Sequence, residues 1–196
     1  MSRVVEVAPE RLERWLAGFA ERHDGIASAT PEHVVGGDGA EAVFDRFAPE
    51  PMGVVLVRRG GYACALVSGG SVVASKVGTR HVQSRTAAGG WSQQRFARRR
   101  GNQADALVEA VAGHALRILL AGNESPATGA RGIPAGLVVG GDRALVAQVL
   151  EDSRLRALSG LPRRELYDLP DPRRDVLDTA VQRGRAVRVT LTEPAA

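Results

Sequence analysis

A glycine pair, a tryptophan, a serine and two glutamines stand together at Gly89, Gly90, Trp91, Ser92, Gln93 and Gln94, and Arg95, Arg98, Arg99 and Arg100 follow at once. A glutamine amide is a poor acid and a poor base. It is neutral and offers both an acceptor and donors, so its chemical use is to hold a water in place and to support a developing oxyanion. Two adjacent glycines let the backbone approach a ligand closely and free its N–H groups as further donors. Guanidinium groups suit phosphate oxygens, and a tryptophan beside glycines can stack on a base. Each residue also has an ordinary reading. Gly-Gly before polar residues is a flexible loop, and arginines on a helix form a solvated face. Phe96 at helical spacing is core. Ser92 is a helix cap and a poor nucleophile, because no Ser–His–Asp pattern surrounds it.

The charge distribution favours a polyanionic partner for this stretch. From Pro51 to Ala104 there is no Asp or Glu, while Arg58, Arg59, Lys76, Arg80, Arg85 and the four arginines above all lie inside it. The formal charge of the whole chain is only +4, so the basicity is regional, as a nucleic-acid footprint would be. Lys76 is the one lysine, and the Ala, Gly, Val and Arg excess resembles GC-rich coding, which weakens arginine number alone as an argument.

Composition bounds the rest. A chain of 196 residues, 44% hydrophobic, holds one well-cored domain, or one domain with a small appendage. The single cysteine, Cys64, excludes a disulfide framework and a cysteine-rich zinc site and reads as a small buried hydrophobe. His23, His33, His81 and His114 lack metal-ligand spacing, so no metal and no cofactor is expected. His81 falls on the basic segment, where it can meet phosphate, and His114 reads as packing. The first ten residues carry charges and no apolar stretch of a signal peptide, and no apolar run has the length of a membrane span. A cytoplasmic monomer is the expectation.

The elements that must position the glycine-glutamine stretch follow from periodicity. Val4–Val7 reads as a short strand, and Pro9 opens a helix on Leu12, Trp15, Leu16 and Phe19 that ends near His23–Gly25. Residues 26–50 read as irregular, with a short strand near His33–Val35 and with Ala42, Val43 and Phe44 available for packing. We therefore expect 1–50 to be an N-terminal helical extension docked on a main domain, 51–196. Within that domain Gly53–Arg58, Tyr62–Val67 and Ser71–Val77 form an antiparallel meander with a turn at Gly69–Gly70. Phe96, Leu107, Val111, Ala115 and Leu119 mark a long helix to Leu120, with a possible kink at Gly101–Asn102. Gly122–Gly132 is a connection. Gly136–Val139 is a buried strand, Gly140-Gly141-Asp142 a turn that either caps a helix or holds an anion at its N-terminus, and Arg143–Leu150 that helix. A strand near Glu165–Tyr167, a helix from Pro172 to Arg183 and a strand Ala186–Thr192 complete an α/β fold, a mixed β-sheet with flanking helices.

At Gly89–Arg100 the chain resembles the central domain of the eukaryotic and archaeal class I translation termination factors. There a Gly-Gly-Gln tip is followed by Ser, two variable residues and an Arg-Phe-Ala-Arg run that opens a long helix; Ser92 and Arg95-Phe96-Ala97-Arg98 keep that spacing. The strand meander before the motif and the helix and strand after it occur in the same order, over about residues 51–185. The resemblance implies a release-factor central-domain-like architecture with a ribonuclease H-like motif. One position departs: Trp91 stands where those factors have glutamine. A Gly-Gly pair with a displaced Ser-Gln resembles instead the Vms-like release-factor (VLRF) family, in its stand-alone actinobacterial form. That resemblance implies codon-independent peptidyl-tRNA hydrolysis on stalled ribosomes, with the large-subunit peptidyl-transferase centre and peptidyl-tRNA as partners. It implies Gln93, directly after the serine, as the catalytic glutamine ahead of Gln94. Gly89, Gly90 and Ser92 would shape the loop, and Arg80, Arg85, Trp91, Arg95, Arg98, Arg99 and Arg100 would contact RNA. Two other readings stay open: a nuclease acting at the tRNA 3′ end, and a non-catalytic ribosome- or RNA-binding module.

Overall fold

The computed structural model describes residues 2–79, 92–121 and 133–194, and for 92–102 the backbone course only. In chain order its elements are β1 (Ser2–Val7), α1 (Leu12–Arg22), β2 (Ile26–Ala29), β3 (His33–Gly36), β4 (Glu41–Asp45), β5 (Met52–Arg58), β6 (Gly61–Ser68), β7 (Ser71–Thr79), α2 (Ser92–Ala115), β8 (Gly136–Gly141), α3 (Arg143–Leu150), β9 (Arg163–Leu166), α4 (Arg174–Arg185) and β10 (Val187–Thr192). They form an α/β fold with two five-stranded sheets. The chain separates into two compact units, residues 1–48 with 182–196, and residues 49–181.

In the first unit the strand order is β1-β10-β4-β3-β2. β10 pairs antiparallel with β1 from Ser2↔Thr192 to Val7↔Val187, and with β4 on its other side. The observed units differ from the expected 1–50 and 51–196 in where residues 182–196 belong. The C-terminal strand belongs with the N-terminal segment, and that segment holds four strands beside its one α-helix. The physical reason is alternation. In β4, Ala42 and Phe44 are buried while Val43 is 47% exposed, and β3 and β10 keep the same period of two. Their inward side chains Val34, Ala42, Phe44, Val189 and Leu191 form one core with Phe19, on which Leu12, Trp15 and Leu16 of α1 pack. Residues 26–45 are therefore three short strands and the turns between them, where composition suggested irregular chain.

The second unit holds the order β7-β6-β5-β8-β9. β5, β6 and β7 are the expected antiparallel meander, and β5–β8 and β8–β9 are parallel. β5 and β6 are buried along nearly their whole length, as central strands covered on both faces must be. β7 is the edge. None of the residues of β7 is buried, it carries Lys76, and its pairing with β6 shifts register at Leu66 and Val67 of β6, and such features blunt an open edge against pairing with another chain. Val55, Val57, Tyr62, Cys64, Leu66, Leu137 and Val139 face one way and meet Leu107, Val111, Ala112 and Ala115 of α2 and the apolar face of α3.

Helix α2 runs without a break through Gly101 and Asn102, where a kink was possible. Its irregularity lies further on, at Leu116–Ala121, which continue it as a π-helical turn. The Gly122–Gly132 connection lies outside the described residues. α3 spans the expected residues, β9 begins two residues earlier than expected, and α4 begins and ends two residues later.

Candidate functional site: a helix-borne tip and its support

Gln93 and Gln94 fall in the first turn of α2, directly after Ser92, with Arg95, Arg98, Arg99 and Arg100 in the turns that follow. Gly89, Gly90, Trp91, Arg80, Arg85 and His81 lie outside the described residues. The 24 residues of α2 make a rod of about 36 Å at the standard rise of about 1.5 Å per residue. Leu107 is its first fully buried residue among those described. By the same rise Gln93 sits about 21 Å along the axis from Leu107. The glutamines are therefore carried on a long helix whose other half is anchored.

The anchor is well built. Leu107, Val111, Ala112 and Ala115 of α2 are fully buried, and so is Leu119 in the π-helical turn. Cys64 on β6 is fully buried beneath α2, its Sγ 4.0 Å from the Val111 carbonyl, and burial pushes its thiol up to about 12. It is a packing residue with no thiolate chemistry at neutral pH. Tyr62 at the start of β6 stacks on His114 of α2, ring centroids 5.1 Å apart and 16° from parallel, with Tyr62 Oη 2.9 Å from His114 Nε2. Arg117 donates to His114 Nδ1 at 2.6 Å. Gly78 on β7 makes room for this pair, because a Cβ there would lie 2.5 Å from the Tyr62 ring and hydroxyl. His114 was expected only to pack. Its partner is 52 positions away, and no local pattern announces such a contact.

A second tie joins α2 to the segment after α3. Arg154 donates to Asp152 through Nε at 2.9 Å and through a terminal nitrogen at 2.6 Å, and it reaches Glu109 of α2 at 3.0 Å. Asp152 also accepts from the Arg154 backbone N–H at 2.9 Å, capping the 3-10 turn Ser153–Leu158. The hydrogen bonds from the Arg154 side chain hold the Asp152 carboxyl down at about 2.

The carboxyl ends of the parallel strands gather further polar groups. Asp142 caps α3 by accepting from Ala144 and Leu145 N–H at 3.0 and 3.2 Å. Its carboxylate thus occupies the donors that an anion would use, and the turn-and-cap reading of Gly140–Asp142 is the one realised. Gly141 has φ +100°, and an added Cβ would lie 2.2 Å from the Val57 carbonyl oxygen. Arg143 lies over the Tyr167 ring at 4.0 Å and pairs with Glu165 at 3.3 Å; burial raises the Tyr167 hydroxyl above its usual value. Arg58 donates a long 3.5 Å bond to the Tyr167 carbonyl, and its Nε is buried with no hydrogen-bond partner among the described residues. Within the acid-free stretch, Arg59 and Lys76 are exposed.

Among the described residues no group of three or more His, Cys, Asp or Glu is placed to hold a metal ion, and no helix is long and apolar enough to cross a membrane. No curated protein matches the chain. A family model described as the Actinobacteria/chloroflexi VLRF1 release factor matches residues 50–190. That span covers well over half of the sequence and takes in the glycine-glutamine stretch, the whole of α2 and the sheet that anchors it, and the chain therefore belongs to the Actinobacteria/chloroflexi VLRF1 release-factor family.

Proposed function

We propose that the protein is a peptidyl-tRNA hydrolase that frees nascent chains from tRNA on stalled ribosomes or large subunits without reading a codon. The observation that carries the proposal is the family match across residues 50–190, which encloses Gly89–Arg100, together with the position of Gln93 in the first turn of the long, anchored α2. The substrate bond is the ester between the peptide carbonyl carbon and a ribose oxygen of the tRNA 3′ end. Water attacks that carbon, the carbon–ribose oxygen bond breaks, one proton passes to the ribose oxygen, and a free carboxylic acid and an intact tRNA result. An ester is already activated, so the protein need bring no strong base. It must place the water and support the oxyanion.

In this reading the Gln93 side-chain oxygen accepts a hydrogen bond from the attacking water, and its amide N–H supports the charge developing on the carbonyl oxygen. Gln94 assists or lines the loop. Gly89 and Gly90 admit the backbone close to the ester. Arg80, Arg85, Arg95, Arg98, Arg99 and Arg100 hold tRNA and ribosomal RNA phosphates, and Trp91 stacks on a base. The protein works as a cytoplasmic monomer whose partners are the peptidyl-transferase centre and peptidyl-tRNA.

The test is to incubate labelled peptidyl-tRNA on large ribosomal subunits with the wild type and with Gln93→Ala. The wild type should release free peptide and intact tRNA, and Gln93→Ala should lower that rate at least a hundredfold, the scale seen when one oxyanion donor is removed. Equal rates would remove Gln93 from the role. Peptide left on a shortened tRNA fragment would identify a nuclease instead. Salt-sensitive binding with neither product would identify a binding module.

A further inference from the structure

A cleft of about 480 Å³ opens in the first unit beside α1, lined by Glu6, Val7, Ala8, Arg11, Arg14 and Trp15. Its volume is in the range of small-ligand pockets, roughly 300–1,000 Å³. The Trp15 ring is fixed from within, stacked on Phe19 at 5.6 Å and 20° and set edge-on to Phe44 at 5.8 Å. It is half-buried and lines the cleft, and its indole N–H has no acceptor among the described residues. Arg11 and Arg14 are exposed, and neither side chain has a hydrogen-bond or ion-pair partner among the described residues. The acid in the cleft is already neutralised. Glu6 pairs with Arg183 at 2.9 Å and with Arg188 at 3.4 Å, so two guanidinium groups share one carboxylate. Glu10 beside it is held by Arg185 at 2.6 Å. The unpartnered positive charge in the cleft is thus on Arg11, at the N-cap of α1 and four positions before the ring, and on Arg14, the residue next to the ring.

A rigid aromatic platform with unpartnered guanidinium groups beside it is what a single-stranded nucleotide requires: a face to stack on and cations at the flanking phosphates. We propose that this cleft is a second RNA-binding site, in which a base stacks on Trp15 and the adjoining phosphates pair with Arg11 and Arg14. Nothing in this proposal depends on Gln93. An acidic peptide would use the arginines but leave the indole face unused, so the aromatic platform favours RNA.

The chain has two tryptophans, so in full-length protein carrying Trp91→Phe the fluorescence reports Trp15 alone. Titration with a six-nucleotide oligoadenylate RNA should quench that signal saturably. In the same background Arg11→Gln/Arg14→Gln should weaken the affinity at least tenfold with an unchanged far-UV spectrum, and should flatten the salt dependence by the share of two phosphate contacts, a slope of about 1.4. Absence of quenching, or an affinity equal in the double variant, overturns the proposal. Polyglutamate that competes as well as the RNA and perturbs Trp15 equally also overturns it, in favour of an acidic protein partner.

Discussion

Tyr62 and His114 are joined twice, by ring stacking at 5.1 Å and by a 2.9 Å hydrogen bond. The pair fastens the start of β6 to the C-terminal part of α2. Arginine only donates, so the 2.6 Å contact from Arg117 makes His114 Nδ1 an acceptor. The hydrogen then resides on Nε2, and the imidazole donates to Tyr62 Oη. Tyr62→Phe keeps the stack and leaves this half-buried N–H without its acceptor. Stability should fall by about 1 kcal/mol, read as a shift in the urea midpoint with an unchanged m-value. An unaltered midpoint would mean that stacking alone anchors the helix.

Two glycines in the second unit should respond in opposite ways to the same substitution. Gly141 has φ +100° and sits against the Val57 carbonyl. Gly141→Ala combines a disfavoured backbone conformation with a clash against rigid backbone and should cost more than about 3 kcal/mol. Gly113 lies within α2 with nothing near its missing Cβ. Gly113→Ala should stabilise the protein by roughly 0.5–1 kcal/mol through helix propensity. Thermal melts of the two variants, moving in opposite directions, are the check, and a destabilised Gly113→Ala would contradict the open space seen there.

The tie between Asp152 and Arg154 should make part of the stability depend on pH. The Asp152 carboxyl is held at about 2, below its usual value, chiefly by the Arg154 side chain. A depressed carboxylate contributes stability that is complete above its unfolded value of about 3.9 and is lost as pH falls through the folded one. Asp152→Asn should therefore be less stable than wild type by roughly 1 kcal/mol at neutral pH, once solvent screening is allowed for. The gap should hold down to about pH 5 and close between about pH 4 and pH 2. Denaturant titrations across that range measure it, and a gap undiminished at pH 2 would show that the charge is not its source.

Much of the local architecture was legible because its causes are local. The meander β5–β7 announces itself through apolar runs and the Gly69-Gly70 turn, and α3 through Asp142, which fills the orphan donors of the first turn with its own carboxylate. The tip motif was equally legible, since Ser92 and Arg95-Phe96-Ala97-Arg98 are adjacent in the chain. Contacts made across long separations were not. β10 lies between β1 and β4 because all three bury alternate side chains in the core that Phe19 fills. A six-residue strand carries no mark of which distant edge it will join. For the same reason residues 26–50 read as irregular apart from a short strand near His33–Val35, although Ile26–Ala29 and Glu41–Asp45 are strands as well. The sequence by itself determined the residue types at Gly89–Arg100 and the absence of acids around them. Tertiary structure alone decided what holds α2 in place, the pairing of Tyr62 with His114 and of Glu109 with Arg154, because those contacts exist only once the fold brings together residues tens of positions apart.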